Sequence, residues 1–304
     1  LDFKDSRTSG HDHASNVIPF GKDGPMSNVL IVHAHPEPAS LTSALKDVAV
    51  EKLRADGHAV KVSDLYAMGW KPLADGQDFT DRSDAERLIY IAESKNAYRS
   101  GSQSPDIAAE QDKLLWADAV LFSFPLWWFG MPAILKGWFD RVFAYGFAYG
   151  VGEHNEKHWG DRYGEGTLAG RRAMLIVPIG GHLPHYSDRG VNGSIDDVLW
   201  PIQHGALFYP GMDVMPPFPV YSADRMDEDG WTEVKTAFKG RLARLFVDDP
   251  IPYRAQNGGH YDGNQRLKPE LGGGSDGISM HLVREGDPQE ILRGQVRQTR
   301  RLAS

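Results

Sequence analysis

Three short runs, residues 29–32 (VLIV), 119–124 (AVLFSF) and 172–179 (RAMLIVPI), are apolar almost without interruption instead of alternating apolar with polar. A strand without that alternation is buried on both faces, and such strands belong to parallel sheets covered by helices on each side. Each run ends in a loop rich in Pro, Gly or His, where an open α/β sheet places its ligands.

The text between these runs supplies the helices. Ser40 opens a helix over 41–55, where Leu41, Leu45, Val48, Ala49 and Leu53 recur at helical spacing and Gly57 closes the segment. Residues 59–65 form a second strand, so the chain starts with a βαβ unit. The stretch 66–104 is polar and irregular, with a short helix around 84–97. Pro105 at the first helical position starts a helix to residue 116, and Pro132 starts another. Further on, 194–208 reads as a helix, 213–221 as a fifth strand whose prolines assign it to an edge, and 231–246 as the last core helix. Five strands alternating with helices predict a doubly wound parallel sheet. We detect no internal repeat.

The flanks are of different character. Residues 1–25 are polar, lack an apolar segment and precede Met26, so they are expected to be a disordered or artificially added leader and not a signal peptide. The organised domain is expected over 26–253. Residues 254–304 are expected to form a C-terminal arm, mobile over 254–277, where Gly, Asn and Gln concentrate, with an Arg-rich stretch at 288–302 that reads as a solvated tail or a short helix.

Composition removes several function classes. With 33 Lys plus Arg against 41 Asp plus Glu, the net charge of −8 argues against a nucleic-acid partner. The absence of Cys excludes thiol nucleophiles, thiolate zinc and Cys-ligated iron–sulfur clusters, so redox chemistry would need an organic cofactor or a metal held by His and carboxylates. The uncharged stretch 119–135 has 17 residues and contains Pro125, Gly130 and Pro132, so it is read as strand, loop and helix start, not as a membrane span.

Three strand ends look like a site. The first leads through His35 to Ser40 and Thr42 at a helix N-terminus, where free N–H groups and hydroxyls suit phosphate oxygens, although Ser40 is equally an ordinary N-cap. The second runs into Pro125, Leu126, Trp127, Trp128 and Phe129, an aromatic loop suited to cover a flat ring. At the third, Gly180 and Gly181 let backbone approach such a ring closely, with Tyr186 and Asn192 following on the same loop. Two motif matches fail on context: 164–169 fits GxGxxA but follows no strand, and 273–277 fits GxSxG but lies in the arm. The pairs His33/His35, His154/His158 and His182/His185 show no third ligand, so no metal site is expected.

Together, LIVHAHPEPAS, SDLYAM, SPDIAAEQ, FPLWWFGMPAILKGWFDRVF, the Gly180–Gly181 turn and LWPIQHG resemble the NAD(P)H:quinone oxidoreductase family, DT-diaphorase-like flavoproteins of flavodoxin-like fold. The resemblance covers roughly residues 28–253. It implies a cytoplasmic homodimer with FAD at each interface, and ping-pong hydride transfer from NADH or NADPH through flavin N5 to a quinone. An FMN-dependent reductase of azo or nitro aromatics and a flavin-binding regulatory subunit of a transporter are the alternatives. The family's diphosphate loop maps onto His35, Ser40, Leu41, Thr42 and Ala44. Its ring-binding residues map onto Pro125, Leu126, Trp127, Trp128 and Phe129, and its glycine loop onto Ile179, Gly180 and Gly181. The resemblance implies that Tyr186 stabilises charge on reduced flavin, that Trp128 and Phe129 also contact substrate, that Tyr149 lines the pocket from across the dimer, and that Tyr209 adds another aromatic wall. Three positions depart from the pattern: Trp127 replaces a common Gln, Ile179 a common Thr, and Asn192 the His that partners the tyrosine. An amide donates a hydrogen bond but no proton at neutral pH, so compensation is expected from Tyr186, water, His182 or His185.

Overall fold

The computed structural model describes residues 26–155 and 158–288, so the expected leader and residues 289–302 of the Arg-rich stretch lie outside the described residues. Strands β1 (Asn28–His33), β2 (Ala59–Asp64), β3 (Ala119–Ser123) and β6 (Arg172–Pro178) are parallel neighbours in the order β2-β1-β3-β6. The fifth position is shared by β7 (Asp213–Val214) and β8 (Phe218–Val220), which pair with opposite ends of β6. One expected strand is therefore two. Pro216 and Pro217 between them lack the N–H groups that a continuous ladder requires. Strands β4 (His154–Asn155) and β5 (His158–Trp159) make a separate antiparallel ribbon.

Alternation along each buried strand divides the core in two. Leu30, Val32, Val120 and Phe122 face a cluster containing Leu135 and Trp138 of α4 (Ala133–Val142) and Ile107 and Leu114 of α3 (Pro105–Trp116). Val29, Ile31, Ala119 and Leu121 face Leu45 and Leu53 of α1 (Leu41–Ala55) and Phe238 and Leu242 of α6 (Glu228–Ala243). This is the doubly wound architecture expected from the apolar runs.

Several boundaries differ from expectation for identifiable reasons. Helix α2 (Tyr90–Ser100) starts six residues late, because Glu93 takes the backbone N–H groups of Ser83 and Asp84 and holds that stretch as a loop. The expected helix over 194–208 is α5 (Ile195–Trp200) followed by a π-helical segment, Pro201–Phe208. Pro201 supplies no N–H, which disrupts the α-type ladder where the change occurs.

The described part of the expected C-terminal arm, residues 254–288, is a strap packed on the domain, the glycine-rich stretch 254–277 included. Arg254 is buried; its Nη2 donates to Asp287 at 2.7 Å and its Nε to the Met280 carbonyl at 3.0 Å. Ala255 and Leu271 are also buried. The glycine-rich text gave no indication of this, because the partners lie 33 residues apart in sequence.

A buried histidine ties β1 to the first loop. His33 Nε2 lies 3.2 Å from Ser43 Oγ and Nδ1 lies 3.3 Å from Ser123 Oγ. The Ser43 hydroxyl donates to the Glu37 carbonyl, so the network assigns the His33 proton to Nε2. Burial pushes this imidazole down to about 4, and His204 likewise, so both stabilise the fold fully above their ordinary value of 6.5. Stability is then lost as pH falls from 6.5 through 4, on the order of 3 kcal/mol for His33 alone. Urea midpoints measured between pH 7.5 and 4 should fall accordingly, and His33→Gln should flatten part of that slope; an unchanged slope would remove His33 from the account.

Candidate active site

Strand register brings the three loops to one edge. His33 lies opposite Ser123, Ser123 opposite Ile176, and Pro178 opposite Val220, so β1, β3, β6 and β8 end at the same side. That edge includes the β1/β3 crevice where chain winding reverses.

In the first loop Ser40 is the N-cap of α1, its Oγ accepting from Ser43 N at 3.1 Å and donating to Ser43 Oγ at 3.0 Å. The ordinary capping role is thus real. It nevertheless leaves the N–H groups of Leu41 and Thr42, which helix geometry deprives of an intrahelical acceptor, directed out of the helix end. His35 Nδ1 accepts from Glu37 N at 3.0 Å, and its ring sits 6.0 Å from Trp127, linking this loop to the next. Ala44 N donates to Ser40 O as the helix begins.

The second loop is the unusual one. Trp127 and Gly130 exchange backbone hydrogen bonds of 3.0 and 3.1 Å around Trp128 (φ 51°) and Phe129 (φ 60°). Two left-handed residues inside a reciprocal pair form the pattern of a type I′ turn, normally built from Asn and Gly. Bulky aromatics there are strained, and strain of this kind concentrates at ligand sites. Trp128 is 96% exposed, and Trp127 and Phe129 are exposed beside it. Pro125 is buried, and Leu126 N donates to Pro178 O at 3.0 Å, fixing the loop to the end of β6.

In the third loop Ile179 N donates to Val220 O at 2.8 Å, holding the following Gly180–Gly181 against β8. A Cβ on Gly181 would approach within 2.8 Å of Tyr186 Cε2, so the tyrosine ring packs directly on this glycine. Tyr221 supports it with ring centroids 5.9 Å apart. Asn192 N donates to His185 O at 3.0 Å, which closes the loop. His182 is already engaged: Nε2 accepts from Arg225 Nη1 at 2.8 Å, and Nδ1 lies 2.9 Å from Ser222 Oγ. That leaves His185 as the exposed imidazole beside Tyr186 in sequence.

The two wall tyrosines separate. Tyr149 lines a cavity of about 620 Å³ with Phe129, Gly130 and Met131 of the aromatic loop. Tyr209 lines another, of about 470 Å³, with Tyr163, His204 and Arg254. Sequence reasoning did not select Tyr90 and Met131 in the first cavity, or Tyr221 behind Tyr186. Met131 adjoins the recognised loop, whereas nothing in the text marks Tyr90.

A family profile described as "Flavodoxin-like fold" matches residues 27–242. The chain is 43% identical over 223 residues to the rat protein named NAD(P)H dehydrogenase (quinone) 1, covering 73% of this chain and 78% of that one. The chain belongs to the NAD(P)H:quinone oxidoreductase family. As a member of this family it is an oxidoreductase. It is also 50% identical over 265 residues to a ribosyldihydronicotinamide dehydrogenase-like protein, traD, of Penicillium crustosum, covering 86% of this chain and 98% of that one. A solved structure described as a putative quinone reductase from Klebsiella pneumoniae superposes with a TM-score of 0.83 at 54% identity, covering 84% of this chain and all of that one. The family's flavodoxin-like fold and nicotinamide-dependent members imply a flavin and a nicotinamide donor for this chain. Its own residues are compatible with a flavin: a helix end with outward N–H groups suits an anionic tail, exposed rings suit a flat surface, and two glycines leave room for backbone to approach a ring. Among the described residues no helix is long and apolar enough to cross a membrane.

Proposed function

We propose that the protein is an FAD-dependent NAD(P)H dehydrogenase that reduces quinones, working as a homodimer by a ping-pong route, with residues 26–253 as the catalytic unit. The observation that carries this reading is the strained aromatic turn, whose exposed Trp128 stands at the carboxyl edge of the sheet on the loop tied to β6. When bound, the flavin supplies two-electron chemistry between the nicotinamide and the acceptor. Leu41 and Thr42 N–H groups, with Ser40, His35 and Ala44 shaping the loop, would bind the phosphates. Trp127, Trp128 and Phe129 would cover the ring with Pro125 and Leu126 beneath them, while Gly180 and Gly181 would present backbone to its polar edge, held in place by Ile179. Tyr186 would donate a hydrogen bond to charge developing there; Asn192 can orient a donor or a water but cannot transfer a proton. Tyr149 would wall the acceptor space next to Phe129, and Tyr209 would add another aromatic wall.

The test is turnover. Purified protein should oxidise NADH or NADPH with menadione or benzoquinone, and flavin released by heat should chromatograph as FAD. Release of FMN would favour the azo- and nitro-reductase alternative, and bound flavin without turnover would favour a regulatory role. Dihydronicotinamide riboside belongs in the same assay, because several relatives carry its name. Tyr186→Phe should slow pre-steady-state flavin reduction roughly 10-fold, the worth of one hydrogen bond. Asn192→His should change the rate less while adding a titration near pH 6.5. Unaltered flavin reduction in Tyr186→Phe would refute the role given to this tyrosine.

A further inference from the structure

We propose that His158, Asp161 and Glu165 form a site for one divalent first-row transition-metal ion, at the junction between the β4–β5 ribbon and the C-terminal strap. One ligand atom from each lies within 4.8 Å of the other two, and all three residues are half-buried. This is a mixed nitrogen–oxygen set. His158 offers Nε2, already 2.9 Å from Asp161 Oδ1, and the carboxylates offer oxygens. One imidazole with two carboxylates matches the borderline donor preferences of zinc and its neighbours and leaves positions for water.

Electrostatics supplies the second reason. Two carboxylates converge here, and among the described residues neither makes an ion pair with Lys or Arg; the ion pair recorded is the one between His158 and Asp161. Two acidic side chains are therefore held side by side in a half-buried setting with no Lys or Arg partner among the described residues. A divalent cation would neutralise them.

The surrounding structure holds these groups in place before any ion arrives. Asn257 of the strap donates its Nδ2 to Glu165 Oε2 at 2.6 Å and to the Gly160 carbonyl at 3.1 Å, orienting the carboxylate as outer partners of metal ligands do. A Cβ on Gly152 would overlap the Asp161 carboxylate, so only glycine lets the loop close around that ligand. His158 N donates to Asn155 Oδ1 at 3.0 Å, which sets the ribbon turn. Arg162 and Tyr163, lying between two of the ligands in sequence, line the cavity that contains Tyr209. An ion would therefore fix that wall as well as the strap.

The sequence could not show this site, because His158 pairs visibly only with His154, and the carboxylates three and seven residues on look like solvated charge. The experiment is calorimetric titration of chelator-treated full-length protein with Zn²⁺, and separately with Mn²⁺, compared with His158→Ala and Glu165→Gln. The other histidines contribute background, so the readout is the difference between wild type and variants. The expected result is one equivalent present in wild type and weakened at least 10-fold in each variant, with Zn²⁺ raising the thermal midpoint of wild type alone. Circular dichroism and the metal-free midpoint confirm that the variants are folded. Equal binding by wild type and both folded variants, or no saturable equivalent in wild type, overturns the proposal.

Discussion

Gly137→Ala is expected to lower the thermal unfolding midpoint by roughly 6–12 °C, corresponding to about 3 kcal/mol of overpacking. On an exposed helix the same change would gain about 1 kcal/mol from propensity. Here the sign reverses, because a Cβ on Gly137 would overlap the carbonyl oxygen and Cα of Pro72. Both sides of that contact are backbone, so no rotamer change relieves it. Helix α4 must move away from the 70–72 segment, and with it the loop at its N-terminus that carries Trp127 to Gly130. Flavin affinity should therefore fall together with stability. Differential scanning calorimetry of the flavin-free protein measures the first effect and flavin titration the second. A midpoint within 2 °C of wild type would show that the segment yields easily.

The second large effect has opposite signs for folding and binding. Trp128→Gly should raise the midpoint of the flavin-free protein by roughly 2–4 °C, since glycine adopts the left-handed conformation without the 1–2 kcal/mol that an L side chain incurs there. Greater freedom in the unfolded chain offsets part of that gain. The same variant should weaken flavin or acceptor binding roughly 10- to 100-fold, the worth of burying one large aromatic side chain. The combination is informative because Trp128 has almost no contacts to lose in the free protein, being 96% exposed. Wild-type flavin affinity in this variant would remove Trp128 from the ring-covering role.

What was legible in the sequence follows from the range over which each signal acts. Residues 29–32, 119–122 and 174–177 carry unbroken apolar text because both sheet faces are buried, and parallel strands with covering helices follow from that. Loops immediately after strands are also local, so the sequence alone places His35, Trp127 and Gly180 at one edge. The remainder depended on distant partners. The anchoring of Ser83 by Glu93 delays α2, and the Arg254–Asp287 pair turns glycine-rich text into a packed strap. Tyr149 and Tyr209 were grouped by chemistry, yet in one chain they line different cavities, because the connections between them run through the π-helical segment and the ribbon. In the text His33 is half of a histidine pair, while in the fold it bridges two serines across the crevice.

The divided fifth strand also governs how copies of this chain can aggregate. A foreign strand laid along that border would meet Pro216 and Pro217 between β7 and β8, and Pro219 within β8, in place of a continuous row of donors. The opposite border, β2, carries the exposed Lys61, whose ammonium group lies 4.2 Å from the centre of the Trp116 ring. Neither border offers a clean template for intermolecular β-ladder growth. Self-association of the native domain is thereby steered toward side-chain surfaces, where shape selects a partner, and away from main-chain pairing, which accepts almost any extended peptide.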